Sequence, residues 1–199
     1  MVNLSLVRLF LAGPVPGELE LALLARLEPL RRAAPQVRWV LGGQVHLTLA
    51  FLGEVAEPTL PSLLDSLRPV AGRHRALTLA VQGAGCFGRP RRPTVLYADI
   101  AGDRPGLADL AGEVRDALGR WLPPPEGGEK PFHPHLTLAR ARVRNGDPSL
   151  LRCRSVLADL DLGTFPLRRL ILFQSRLLPS GASHTELAAF PLGDRAPPA

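Results

Sequence analysis

Cysteine, lysine and long apolar runs are the scarce features of this 199-residue chain. The two cysteines, Cys86 and Cys153, stand far apart with no Cys-x-x-Cys or Cys/His spacing, which disfavours a disulfide framework, a thiol-redox motif and a zinc site. They read as core fillers, and a reducing cytoplasm is the expected compartment. No apolar stretch is long enough to span a membrane. The opening MVNLSLVRLF has no basic leader, carries Arg8 inside its apolar run and is broken soon after by Gly13-Pro14, so a strand is expected there rather than a signal. Lys130 is the sole lysine, and the net charge of +6 therefore rests on arginine. Arginine's planar fork suits phosphate, although a codon bias toward Arg, Ala, Gly and Pro accounts equally for the ratio. A basic balance is compatible with a polyanionic substrate.

What the chain does have is a repeat. His46-Leu47-Thr48-Leu49-Ala50 recurs as His135-Leu136-Thr137-Leu138-Ala139 in a protein with five histidines, and exact internal repetition points first to duplicated architecture. His-x-Thr within an apolar run reads as a strand, with His and Thr on one face and the leucines on the other. Around the repeats the pattern predicts strands over 4–11, 37–40, 45–52, 77–82, 94–100, 135–143, 167–178 and 185–190. Helices are predicted over 16–33, 58–70, 105–121 and 148–160, the first on leucines at 19, 23, 27 and 30. Segments 83–93 and 123–128 are predicted loops. Both halves read strand, helix, His-x-Thr strand, helix, strand. His46 follows Arg8 by 38 residues, and His135 follows Tyr97 by the same 38. The expectation is an α+β fold: one bilobal domain over 1–193, built as a pseudo-twofold duplication with half-repeats of about 1–83 and 94–193. Two antiparallel or mixed sheets flanked by helices would enclose a central cleft, and the tail 194–199 would fray.

Such symmetry sets two imidazoles across one groove. One neutral and one protonated imidazole can run phosphoryl transfer as base and acid without a metal or cofactor, and a threonine beside each can hydrogen-bond a phosphoryl oxygen. The motifs HLTLAFLGE and PFHPHLTLAR closely resemble the two signatures of the two-histidine (2H) phosphoesterase superfamily, and within it the RNA 2′,3′-cyclic phosphodiesterases long described as 2′-5′ RNA ligases. VRLFLAG, Trp39, PTVLY and SRLLPSGASHTELAAFPL extend the likeness over nearly the whole chain. The resemblance implies the 2H phosphoesterase fold, with His46 as proton donor to the leaving 3′ oxygen and His135 as the acceptor that activates water. Thr48 and Thr137 would hold the cyclic phosphate, and Phe51 and Arg140 would contact base or phosphate. The implied partner is RNA with a 2′,3′-cyclic phosphate end; no cofactor, metal, membrane or protein partner is implied, and a monomer is expected. Strict alternation, however, puts Phe51 and Arg140 on the face opposite His and Thr unless the strand twists or ends there.

Other residues keep plainer readings. His133 is expected in a loop, with a substrate or supporting role open to it. His74 is expected as a solvated helix cap, where a cation complements the dipole. Tyr97 and Trp39 read as partly buried packing residues. Arg89, Arg91 and Arg92 read as an ordinary solvated loop or as a steering patch for RNA. Three alternatives stand beside hydrolysis: the reverse reaction, 2′-5′ ligation, which uses the same residues; a non-catalytic RNA-binding module; and a metal hydrolase using His46, His133 and His135. The last lacks a His-Glu-x-x-His or His-x-His-x-Asp pattern, and threonines are poor transition-metal ligands.

Overall fold

The computed structural model describes residues 5–124, 131–178 and 181–193. Most of the predicted 123–128 loop, Lys130 and the tail after 193 lie outside them. The chain runs β1 (Leu6–Pro14), α1 (Gly17–Ala33), β2 (Arg38–Trp39), β3 (His46–Ala56), α2 (Leu60–Arg73), β4 (Leu77–Arg89) and β5 (Arg92–Gly102). It continues through α3 (Arg104–Leu118), β6 (His135–Arg140), α4 (Ser149–Val156), β7 (Asp161–Leu167), β8 (Arg169–Leu178) and β9 (Gly181–Pro191). The class is α+β, as the sequence predicts.

Among the described residues the strands form one curled sheet in the order β7-β4-β5-β6-β3-β1-β8-β9, with β2 added to β6. The strand pairings are antiparallel. The two sheets expected from the sequence are the two ends of this sheet, joined at β3·β6 through the single register position Leu47↔Leu136. Neither end is contiguous in sequence. β4 leaves the first motif and pairs with β5 and β7, whereas β8 leaves the second motif and pairs with β1.

Helices cover the leucine-bearing face. The stripe Leu19, Leu23, Leu27 and Leu30 of α1 is buried, as is Leu107, Leu110, Val114 and Leu118 of α3. Asp103 caps α3 by accepting from the Gly106 amide at 3.0 Å. α3 packs on β3, α4 on β4 and β5, and α2 on β9. Leu47 and Leu136 are 1% and 0% exposed, so the opposite face, with the histidines and threonines, stays open.

Several expectations need correcting. The arginine-rich segment 83–93 is a β-hairpin, not a loop between lobes: β4 runs on to Arg89 and β5 begins at Arg92, with Arg89 opposite Arg92. β7 was not predicted; it is an edge strand whose Gly163 and Pro166 hide its pattern, and an edge is where a strand tolerates proline. The second motif strand stops at Arg140 rather than 143, where the Ala141 amide turns to the Thr94 carbonyl at 2.8 Å. His74 caps α2 but is not solvated: its side chain is 13% exposed, with Nε2 3.2 Å from Glu113 Oε1 of α3. Cys153 is buried and Cys86 half-buried, both free. Trp39 is half-buried and donates its indole N–H to the Ala34 carbonyl at 2.9 Å.

Candidate active site

The pairing of Leu47 with Leu136 fixes the site. Both leucines point into the core, so the residues one place on either side, His46 and Thr48 on β3 and His135 and Thr137 on β6, share the open face. Antiparallel strands meeting at one position are related by a twofold axis through it. The four motif side chains therefore form a symmetric quartet around that point.

Phe51 and Arg140 join this face, contrary to strict alternation, and the reason is a bulge repeated in both motifs. On β3, Ala12 pairs with Thr48 but Leu11 with Ala50, so Leu49 is the extra residue; Phe10 then faces Phe51. On β6, Tyr97 pairs with Thr137 but Leu96 with Ala139, so Leu138 is the extra residue; Val95 then faces Arg140. One inserted residue flips the parity of all that follow. Arg140 Nη2 consequently lies 3.5 Å from Thr137 Oγ1 as a donor. Phe51 is 44% exposed, with the Arg8 guanidinium 4.9 Å from its ring centre.

Each motif histidine sits in an aromatic nest drawn from the two strands beyond it. Phe10 of β1 lies 4.7 Å and Phe173 of β8 6.4 Å from His46. Tyr97 of β5 lies 5.4 Å and Phe87 of β4 4.9 Å from His135. Tyr97 can lie flat because its cross-strand partner is Gly85; a Cβ there would overlap the Tyr97 ring. Tyr97 is thus a packing residue, as expected, and also a wall of the site.

Each motif histidine has the backbone carbonyl of the residue two places before it as a partner, Gln44 for His46 and His133 for His135, and the other polar neighbours break the symmetry. His135 Nδ1 donates to the His133 carbonyl at 2.8 Å, which leaves Nε2 as the free ring nitrogen. His133 lies in the segment before β6, as expected, with Nε2 3.1 Å from Asp99 Oδ1, and Asp99 stands opposite His135. In the other motif Pro14 stands opposite His46, and the nearest titratable ring is His184 of β9, 5.4 Å away and edge-on. Its Nδ1 is buried and unpartnered among the described residues.

Burial, above all, pushes the His46 pKa down to about 4; His184, Arg140 and His135 add to the fall, and the Gln44 carbonyl opposes it. Burial also lowers His135, helped by His133 and Arg140, while the hydrogen bond to the His133 carbonyl and the Asp99 carboxylate resist. Burial lowers His184 as well.

The sequence pointed to neither His184 nor Phe10, Phe173, Phe87 or Asp99. Their contacts arise from strand pairing, and a lone residue in a strand carries no local mark of it. Among the described residues, no three His, Cys, Asp or Glu side chains are grouped to hold a metal ion, and no helix is long and apolar enough to cross a membrane.

A curled α+β sheet with a His-x-Thr strand from each end meeting at its centre defines the fold of a 2H phosphoesterase. The chain belongs to the 2′-5′ RNA ligase superfamily, whose family model matches residues 19–176. An Aeropyrum pernix protein named RNA 2′,3′-cyclic phosphodiesterase is 32% identical over 142 residues, 71% of this chain and 78% of that protein. A Thermus thermophilus protein of the same name is 31% identical over 198 residues, 94% of this chain and 90% of its own. Among solved structures, TT0787 of Thermus thermophilus superposes with a TM-score of 0.75 at 29% identity, covering 94% of this chain and 100% of that one. The Escherichia coli LigT complex with 3′-AMP gives 0.72 at 26% identity, with 94% and 99% covered.

Proposed function

We propose that this protein opens the 2′,3′-cyclic phosphate at the end of an RNA chain and leaves a 2′-phosphate. Water attacks phosphorus and gives its proton to Nε2 of His135. The P–O3′ bond breaks, and the departing O3′ takes a proton from His46, so the product is a 2′-phosphomonoester with a free 3′-hydroxyl. Thr48 and Thr137 hydrogen-bond the non-bridging oxygens, where charge accumulates as the five-coordinate state forms. Phe51 offers its exposed ring to the terminal base, and Arg140 its guanidinium to the phosphate. The same groups run the reverse step, joining a cyclic end to a 5′-hydroxyl, when two RNA ends are held together; in bulk water hydrolysis prevails. A monomer in a reducing cytosol suffices for this chemistry, without a metal.

The observation that carries the reading is the symmetric quartet of His46, Thr48, His135 and Thr137 on one face, with the His133 carbonyl holding Nδ1–H of His135 and freeing Nε2 to act as base. The test is incubation in excess EDTA with a short RNA ending in a 2′,3′-cyclic phosphate, separating 2′- from 3′-phosphate products. His46→Ala and His135→Ala should abolish turnover without changing the fold. Thr48→Ala or Thr137→Ala should lower kcat by on the order of 10²-fold, as the loss of one oxyanion donor does. Full activity in either histidine variant, or activity that vanishes with EDTA, would overturn it.

A further inference from the structure

We propose that the arginine-rich end of the sheet half containing β6 is the docking surface for the RNA backbone that leads up to the reacting end; this rests on the function proposed above. Arg140 continues the open face of β6, and Arg38 of β2 is its cross-strand partner, so both stand on the same face. On the hairpin, Arg89 follows Phe87 on the open face, and its partner is Arg92. Arg91 lies at the hairpin tip, and Arg142 and Arg144 follow β6. All seven are exposed, and among the described residues none is in an ion pair.

Two features point to an anionic ligand rather than a merely solvated surface. Two like-charged pairs, Arg38 opposite Arg140 and Arg89 opposite Arg92, sit directly across strands, an arrangement that opposes sheet formation. Departures from a local folding rule concentrate at functional surfaces. Moreover, the segments that build this face, 29–53, 83–98 and 131–146, contain no aspartate or glutamate. Of the acids that follow these segments, Glu54 pairs with Arg8 at 4.0 Å, Asp99 lies 3.1 Å from His133 Nε2, and Asp147 accepts from the Ser149 amide at 2.8 Å at the start of α4.

The surface is also preformed. Arg92 donates through Nε to the Asn145 carbonyl and through Nη2 to the Gly146 carbonyl, each at 3.1 Å, and the Asp147 amide donates to the Pro93 carbonyl at 2.9 Å. Gly146 has φ +75°, and a Cβ there would overlap the Arg92 carbonyl. The segment bearing Arg142 and Arg144 is thereby pinned against the hairpin bearing Arg89 and Arg91. From His135 to Arg140, allowing for the bulge, is about 13 Å along the strand. A mononucleotide held at the histidines leaves this band largely empty, whereas an oligomer reaches across it. The contacts are to phosphate, so the preference is for chain length rather than sequence.

The experiment compares cytidine 2′,3′-cyclic phosphate with a dodecamer RNA ending in a cyclic phosphate, using the wild type and the combined variant Arg89→Gln, Arg91→Gln, Arg142→Gln, Arg144→Gln. Arg140 and Arg92 are left intact. In the variant, KM for the dodecamer should rise about ten-fold or more, and the dependence of log KM on log salt should become shallower by up to about 3. Turnover of the mononucleotide should be unchanged. An unaltered KM and salt slope for the dodecamer, or equal losses on both substrates, would overturn the proposal. If the wild type opens neither substrate, fluorescence anisotropy of the labelled dodecamer decides. Salt-dependent binding that weakens in the variant supports the surface while the hydrolase reading falls. Wild-type binding to anionic vesicles but not to RNA overturns the surface.

Discussion

At the residue scale, two imidazoles with matched sequence contexts have unlike neighbours. His184 beside His46 disfavours its protonation, whereas Asp99 opposite His135 favours that of its partner. The difference makes His46 the harder ring to protonate, so in the free enzyme the first proton of the pair goes to His135, and the proposed roles require the bound phosphate to bring that proton to His46. Both values lie below that of free histidine, so in the free enzyme both rings have lost their protons by about pH 6.5, His46 first. The species with one proton on the pair is then lost, and kcat/KM should peak on the acidic side of pH 6.5. In the complex, the negative phosphodiester raises both values, so the kcat optimum should lie higher; coincident optima in a pH–rate study would count against the assignment. The same burial acts on stability. Because the folded value of His46 is about 4, the unfolded chain binds the extra proton, and stability falls as pH drops from about 6.5 toward 4 by about 3 kcal/mol. Urea unfolding at neutral and acid pH should show a drop larger by about that amount in the wild type than in His46→Gln. The motif residues were legible because repetition marks them. His184 was not, since it meets His46 only through β1 and β8, 138 residues along the chain.

At the scale of elements, the period-2 and period-3.6 patterns located the helices and most strands, and the failures have physical causes. Glycines and arginines at 83–93 read as a loop because no apolar face is kept there, yet the backbone ladder closes regardless. The bulges at Leu49 and Leu138 were invisible because both extra residues are leucines, as suited to the core as their neighbours. Gly85 shows how tightly β4 and β5 are fitted: it leaves room for Tyr97, which stacks on Phe87 at 4.3 Å. Gly85→Ala should cost about 1–3 kcal/mol by overpacking and lower kcat by moving Tyr97 against His135. Combined with Tyr97→Leu, the loss in denaturant unfolding should be less than the sum of the two single changes, since the residues share one space.

At the scale of the molecule, the exchange of closing strands makes each end of the sheet depend on both halves of the sequence. β4 finds its partners in β5 and β7, and β1 finds one of its two in β8. A fragment of residues 1–83 should therefore be largely unfolded by circular dichroism, and the whole chain should melt in one transition. The duplicated pattern was readable in the sequence, but the exchange was not, because strand order in a sheet is set by long-range pairing rather than local periodicity. It bears on how the protein is made. Ala12 pairs with Ile171, 159 residues later, and at roughly 5–20 residues per second a ribosome takes on the order of ten seconds or more to deliver the second after the first. Through that interval β1 waits with one edge open, and the nascent chain must be shielded until synthesis is nearly finished.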